Sequence, residues 1–234
     1  MSDTTPEDQL VWSYFGRKTA GFFVDVGANH PSLLSQTWLL EQNGWRGILI
    51  EPQAHLCALL RQERKNSIVC QAACSSPEKA GEMLLHVPAG GGGFATLEKN
   101  VDDLELQYDH SEKVSVVTLD SILAQAGHPQ IDLLSVDVEG TELDVLRGLN
   151  FGRYRPKLIL LEDKVQSLRK HRFLAARGYK LVKRTGLNNW YIPAEHPFAN
   201  ATLAERYELF RKMYLGLPFR KFHRLRLALR RKRP

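Results

Sequence analysis

No run of about eighteen consecutive apolar residues occurs in this chain, so no transmembrane helix is expected. The first ten residues, MSDTTPEDQL, are polar and acidic and lack the basic and apolar regions of a secretory leader. Cysteine is scarce: Cys57, Cys70 and Cys74 form no CxxC pair. An odd count without a leader suggests free thiols in a reducing compartment, so a cytoplasmic protein is expected. The close ligand grouping of a zinc site is missing too.

Glycine is missing at one informative place. Residues 22–37 read FFVDVGANHPSLLSQT: a hydrophobic run, a nucleotide-type turn, then a segment with helical character. A GxGxxG fingerprint starting at Gly27 needs glycine at 29 and 32, where Asn29 and Ser32 stand. No P-loop lysine follows. A pyrophosphate cradle is therefore poorly supported. Acid is missing from residues 219–234, FRKFHRLRLALRRKRP, which hold eight Lys or Arg. Against a whole-chain charge of +6, that leaves the rest of the chain at −2, so the basic character belongs to the tail.

What is present suits one sizeable domain: 234 residues, 43% of them hydrophobic, can build a proper core. Thr5-Pro6-Glu7-Asp8 is a helix start, with a capping hydroxyl, Pro in the first turn and acids behind it. That helix is expected to reach about Lys18. Strands are expected at 22–26, 47–52, 67–74, 82–87, 114–119, 131–138 and 156–162. Helices are expected at 32–42, from Pro52 to about Lys65, at 120–127, 140–149 and 167–178. Residues 179–193 read as a closing hairpin. Strands alternating with helices imply an α/β sandwich with a mainly parallel sheet and one antiparallel edge. The long stretch at about 88–112, with glycines at 90–93, reads as a loop that is either a mobile lid or simply disordered. Three segments follow: an N-terminal helix at 1–19, the main domain at 20–195, and a helical, basic extension at 196–234.

Ligands of open α/β sheets bind beyond the carboxyl ends of the strands. Those ends carry Asp25 and Asn29, Glu51, Asp137 and Glu139, and Glu162 and Asp163. An acid at the end of the second strand can accept both ribose hydroxyls, which assigns Glu51 that role. Gly27 lets the backbone pass close to a ligand. A nucleoside without a diphosphate, bearing cationic groups, suits so many carboxylates: S-adenosylmethionine. The plainer reading of Asp25 and Asn29 is that they shape a turn and cap a helix.

FVDVGAN, GWRGILIEP, VVTLDSIL, IDLLSVDVEGTELDVLRGL and PKLILLE, in this order, resemble the FkbM-type methyltransferase family over about residues 20–195. The resemblance implies a class I, Rossmann-like methyltransferase fold with a seven-stranded sheet of order 3-2-1-4-5-7-6. It implies methyl transfer from S-adenosylmethionine, usually to oxygen, on small molecules such as polyketides, sugars or glycans. By position, Asp25, Gly27 and Asn29 would line the methionine part, Glu51 the ribose, and Ala72 and Ala73 the adenine. Asp137 would lie beside donor and acceptor. His30-Pro31 departs from the Asp-Gly that often follows GAN in such relatives.

Transfer to a hydroxyl needs alignment and a place for the proton. Asp137, Glu139 and His30 are candidate bases. Catechol-type O-methyltransferases instead place metal ligands at the ends of the fourth and fifth strands. Asp137, Glu162 and Asp163 hold comparable positions, and their hard oxygens suit Mg²⁺. Glu139 as a helix cap and Glu162-Asp163 as a solvated strand end are the bland alternatives.

Leu203, Tyr207, Phe210 and Tyr214 share one face of a helix expected at 203–216, a face that would pack on the core or on a second subunit. Beyond it, apolar residues recur among the arginines of 218–234. Such a segment can lie on an anionic membrane, at the inner face in this setting, contact nucleic acid, or be a partly disordered, solvated terminus. The leading reading is an O-methyltransferase acting on a small-molecule or glycan hydroxyl. Its alternatives are an RNA methyltransferase that uses the tail, and a non-catalytic nucleoside-binding or interaction protein.

Overall fold

The computed structural model describes residues 6–89, 95–97, 108–198, 202–220 and 222. Seven strands form one sheet: β1 (Phe22–Val26), β2 (Arg46–Glu51), β3 (Ser67–Gln71), β7 (Leu133–Val136), β8 (Leu158–Glu162), β9 (Tyr179–Thr185) and β10 (Asn188–Pro193). Their order is β3-β2-β1-β7-β8-β10-β9. Counted along this sheet alone, that is the expected 3-2-1-4-5-7-6. The first five strands pair in parallel, and β10 runs antiparallel to both β8 and β9.

Strand side chains alternate between faces, so neighbouring residues feed different cores. Val24, Ile48, Leu134 and Ile159 pack on one side with α4 (Leu119–Gln125), α5 (Glu142–Arg147) and α6 (Arg169–Ala175). Phe23, Leu49, Leu133 and Leu158 pack on the other with α1 (Pro6–Tyr14), α2 (Trp38–Gln42) and α3 (Ala54–Glu63). Burial on both faces explains the near-continuous apolar runs of these strands. Val11 of α1 is fully buried in the second core, and Glu7 accepts hydrogen bonds from Thr185, Asn188 and Trp190 of the terminal hairpin. Thr5, the expected cap of α1, lies outside the described residues.

Two expected elements came out differently. The segment 67–74 is two strands: β3 ends at Gln71, and β4 (Ala73–Cys74) joins a second sheet with β5 (Gly81–Pro88) and β6 (Tyr108–Val117), in the order β4-β6-β5. Five residues expected to belong to the long loop, 108–112, therefore belong to β6, whose polar outer face hid the strand pattern. The glycines at 90–93 lie outside the described residues.

The helix expected at 32–42 begins only at Trp38. Asn29 (φ 49°) and Leu34 (φ 60°) are left-handed, which stops a right-handed helix. Side chains also take over the backbone donors of this segment. His30 Nδ1 accepts from the amides of Ser32 and Leu33, and Ser35 Oγ accepts from those of Thr37 and Trp38. Such local bonds compete with helix formation.

Helix α7 (Leu203–Phe210) starts with a capping box between Thr202 and Glu205 and runs on into a wider, π-helical turn, Arg211–Leu215. Of the two expectations for this face, the core or a second subunit, packing on the core is not what forms. Leu203, Tyr207, Phe210 and Tyr214 are exposed, and Met213 is the residue of this segment that is buried.

Candidate active site

The site forms where β1, β2, β7 and β8 end. After Val26 the chain turns, and the amides of Gly27 and Ala28 both donate to the Ile50 carbonyl, at 2.9 and 3.1 Å. This ties the turn to β2. Gly27 has φ +85°, and a β-carbon on it would lie 1.8 Å from the Asp137 carbonyl oxygen. Glycine is required there by both conformation and space. Asn29, left-handed, donates its amide to Glu51 Oε2 at 3.1 Å, while Glu51 Oε1 accepts from the amide of Gln53 at 2.9 Å. Burial pushes the Glu51 carboxyl up, against the pull of these bonds.

Asp25 lies deeper than expected. It is buried and accepts from Thr37 Oγ1 at 2.7 Å, and Thr37 in turn accepts from Arg64 Nη2 at 3.0 Å. Burial raises its carboxyl while Thr37, Arg64 and Ser135 oppose the shift. Arg64 is itself buried, donating from Nε to Glu41 Oε2 at 2.6 Å and from Nη1 to the Pro31 carbonyl at 2.9 Å. Asp25 thus anchors the loop of residues 29–37 from below instead of lining the cleft. His30 also turns into that loop. The Arg64–Glu41 pair is the feature that sequence reading missed, because its partners stand 23 residues apart in the chain.

On the other side of Gly27, Asp137, Glu139 and Glu162 bring carboxylate oxygens within 4.8 Å of one another. Asp137 is held by its amide on the Val26 carbonyl, at 3.0 Å. Glu139 takes a left-handed conformation (φ 54°) that turns its carboxylate into the group. It does not cap α5: the Gly140 amide donates to Glu142 Oε1 instead, at 2.6 Å. Burial and the neighbouring carboxylates push Asp137 up to about 7 and Glu162 up to about 8, partly offset by Lys164. Near neutral pH these side chains share protons as a group. The Lys164 ammonium lies 3.0 Å from Glu139 and 4.0 Å from Glu162. Asp163, expected beside Asp137 and Glu162 as a metal ligand, lies outside this group. Its oxygens accept from the Val165 amide, Asn189 and Lys170.

Two cavities meet at this point. A narrow cleft of about 50 Å³ is lined by Gly27, Asn29, Glu51, Ala72, Ala73 and Asp137, among others, with Leu85, Ala95 and Leu97 of the second sheet's side closing over it. Thr96 Oγ1 donates to the Glu139 carbonyl at 3.0 Å and fixes that closure. A larger cavity of about 550 Å³ lies between α5, the start of α6 and the turn 76–79. Among the described residues, Leu143 is the only apolar side chain in its lining, which includes Thr141, Glu142, Glu162, Lys164 and Lys170. Thr141 borders both spaces.

The donors of the cleft suit a nucleoside. Glu51 ends β2 with a carboxylate facing in, Ala72 and Ala73 offer small walls, and Gly27 and Asn29 present backbone. Binding pockets for such ligands usually exceed ~300 Å³, so Leu85, Ala95 and Leu97 must move outward for one to enter. Asp137, Glu139 and Glu162 also have the hard oxygens of a Mg²⁺ site. Lys164 already contacts two of the three, so a metal ion would have to displace its ammonium.

A seven-stranded sheet of this order, with its cleft at the carboxyl ends of β1, β2 and β7, is a class I methyltransferase fold. The family model described as the methyltransferase FkbM domain matches residues 25–181, well over half of the chain, and the chain belongs to that family. A relative named Methyltransferase 1, from Beauveria bassiana (strain ARSEF 2860), is 31% identical over 100 residues, covering 42% of this chain and 38% of its own length. The chain thus spans well under half of that relative. The crystal structure of a methyltransferase FkbM from Methylobacillus flagellatus KT aligns with a TM-score of 0.47 and 17% identity, over 75% of this chain and 44% of that one. The structure of M. capricolum TrmK in complex with S-adenosyl-homocysteine aligns with a TM-score of 0.42 and 10% identity, over 87% and 74%.

Proposed function

We propose that this protein transfers the methyl group of S-adenosylmethionine to a hydroxyl oxygen of a polar small molecule or glycan. The observation that carries this reading is the position of Asp137. It lines the nucleoside-type cleft with its carboxylate grouped against that of Glu162, which lines the polar cavity, and its carboxyl is pushed up to about 7. That value matches a general base working near neutral pH.

S-adenosylmethionine supplies an electrophilic methyl group on a positive sulfur. Glu51 accepts the ribose hydroxyls, Ala72 and Ala73 flank the adenine, and the turn at Gly27–Asn29 presents backbone to the methionine part. With the cofactor bound, Asp137, ionised, would take the acceptor's hydroxyl proton as the methyl leaves sulfur for oxygen and S-adenosylhomocysteine departs, and the adjoining carboxylates of Glu162 and Glu139 would pass that proton on. The negative group also favours the cationic donor over its neutral product. Lys164 pairs with Glu139 at 3.0 Å. The polar lining of the larger cavity suits a hydroxyl-rich acceptor better than an apolar one.

In this reading Lys164 takes the place of a metal ion, and turnover needs none. The experiment is incubation with labelled S-adenosylmethionine and fractionated cell extract. Label appearing in an alkali-stable ether of a polar fraction supports the reading. Cofactor binding with no label transferred to any fraction would favour a non-catalytic nucleoside-binding protein.

A further inference from the structure

The C-terminal helical segment leaves a row of large apolar side chains in water. Leu203, Tyr207, Phe210 and Tyr214 recur at helical spacing, and Phe219 and Phe222 follow. Leu203 is 85% exposed, Phe219 79% and Phe222 70%, so the body of the protein does not cover them. The segment is nevertheless fixed in place. Arg220 Nε donates to the Val165 carbonyl at 2.8 Å, the Tyr214 hydroxyl meets His171 Nε2 at 3.3 Å, and Met213 is fully buried. Isolated exposed apolar residues are ordinary, but a row of them on one anchored segment marks an interaction site.

Its chemistry is set by charge. The same stretch runs into residues 219–234, which carry eight Lys or Arg and no acid, while the rest of the chain is slightly negative. We propose that this segment docks the protein on an anionic lipid surface. The aromatic and leucine side chains enter the headgroup boundary, and the arginines and lysines meet lipid phosphates. A second copy of the chain would bring one cationic tail against another in a symmetric contact. A nucleic acid would satisfy the arginines but leave Leu203 and Phe210 without an apolar partner. Among the described residues no helix is long and apolar enough to cross a membrane, which leaves docking on its surface as the mode. This inference does not depend on the chemistry proposed for the site. Arg220 is tied to the 163–167 loop, where Lys164, Gln166 and Ser167 line the polar cavity, so docking would bring the surface close to that cavity.

The test is flotation of the full chain with vesicles of phosphatidylcholine alone and with about 30% phosphatidylglycerol. The chain is expected to float with the anionic vesicles only. The variant carrying Phe210→Ser, Phe219→Ser and Phe222→Ser is expected to lose partitioning by about a hundredfold with an unchanged thermal midpoint, since these side chains are exposed. Replacing Arg230, Arg231, Lys232 and Arg233 by glutamine is expected to weaken binding to anionic vesicles comparably. Equal flotation of the phenylalanine variant would overturn the proposal, because charge alone would then suffice. So would absence of flotation, whether the chain dimerises in sedimentation or prefers added single-stranded RNA.

Discussion

Gly27 lies so close under the backbone of Asp137 that a β-carbon on it would sit 1.8 Å from the Asp137 carbonyl oxygen. One glycine therefore serves two strands, turning β1 at φ +85° and letting the end of β7 close over it. Gly27→Ala is expected to destabilise the fold by about 3 kcal/mol, from backbone strain and displacement of Asp137. Urea unfolding measures the first effect. Calorimetric titration with S-adenosylmethionine should show affinity reduced at least about tenfold.

The shape of the loop after Gly27 rests on a buried ion pair. Arg64→Ala removes the cation of this buried pair, leaving Glu41 with the Asn66 amide and the Ser67 hydroxyl, and is expected to cost about 3–5 kcal/mol in chemical unfolding. Arg64→Met combined with Glu41→Leu should recover much of that loss, because neither charge is then left alone. If the double variant were no better than Arg64→Ala, the loop contacts to Pro31 and Thr37 would matter more than the charges.

Much of this was legible in the sequence. The apolar runs at β1, β2, β7 and β8 stood out because both faces are buried, and the carboxylates at their ends marked the site. The helix at 32–37 was misread because its apolar spacing looks helical, whereas Asn29 and Leu34 are left-handed and His30 and Ser35 bind the backbone amides. Such competition depends on Arg64, distant in sequence, and leaves no local signal. Asp163 and Glu139 exchanged places in the acidic group for a similar reason. A left-handed Glu139 cannot be read from residue type, and Asp163 is drawn away by Asn189 of the last strand.

The pH dependence follows from the raised carboxyl of Asp137. If it is the base, kcat/KM should be low at pH 6 and rise through about pH 7 to a plateau. Folding should respond in the opposite sense. The unfolded carboxyl loses its proton near pH 4 and the folded one only near 7, so this group removes stability as pH rises between them. Asp137→Asn should flatten that fall in a series of thermal midpoints taken from pH 4 to 8.

Lys164 lowers the Asp137 and Glu162 values from within the acidic group. Lys164→Met is expected to move the rising limb of the activity profile to higher pH while leaving S-adenosylmethionine affinity within about threefold. EDTA should leave the wild-type rate unchanged. A rate abolished by EDTA and restored by Mg²⁺ would mean that a metal displaces Lys164 from this group.

The most direct measurement compares wild type with Asp137→Asn in transfer of label from S-adenosylmethionine to the responsive extract fraction, beside calorimetric binding of the cofactor. The account predicts transfer reduced by at least about a hundredfold with cofactor affinity weakened by no more than about tenfold. Transfer at the wild-type rate in Asp137→Asn would contradict it.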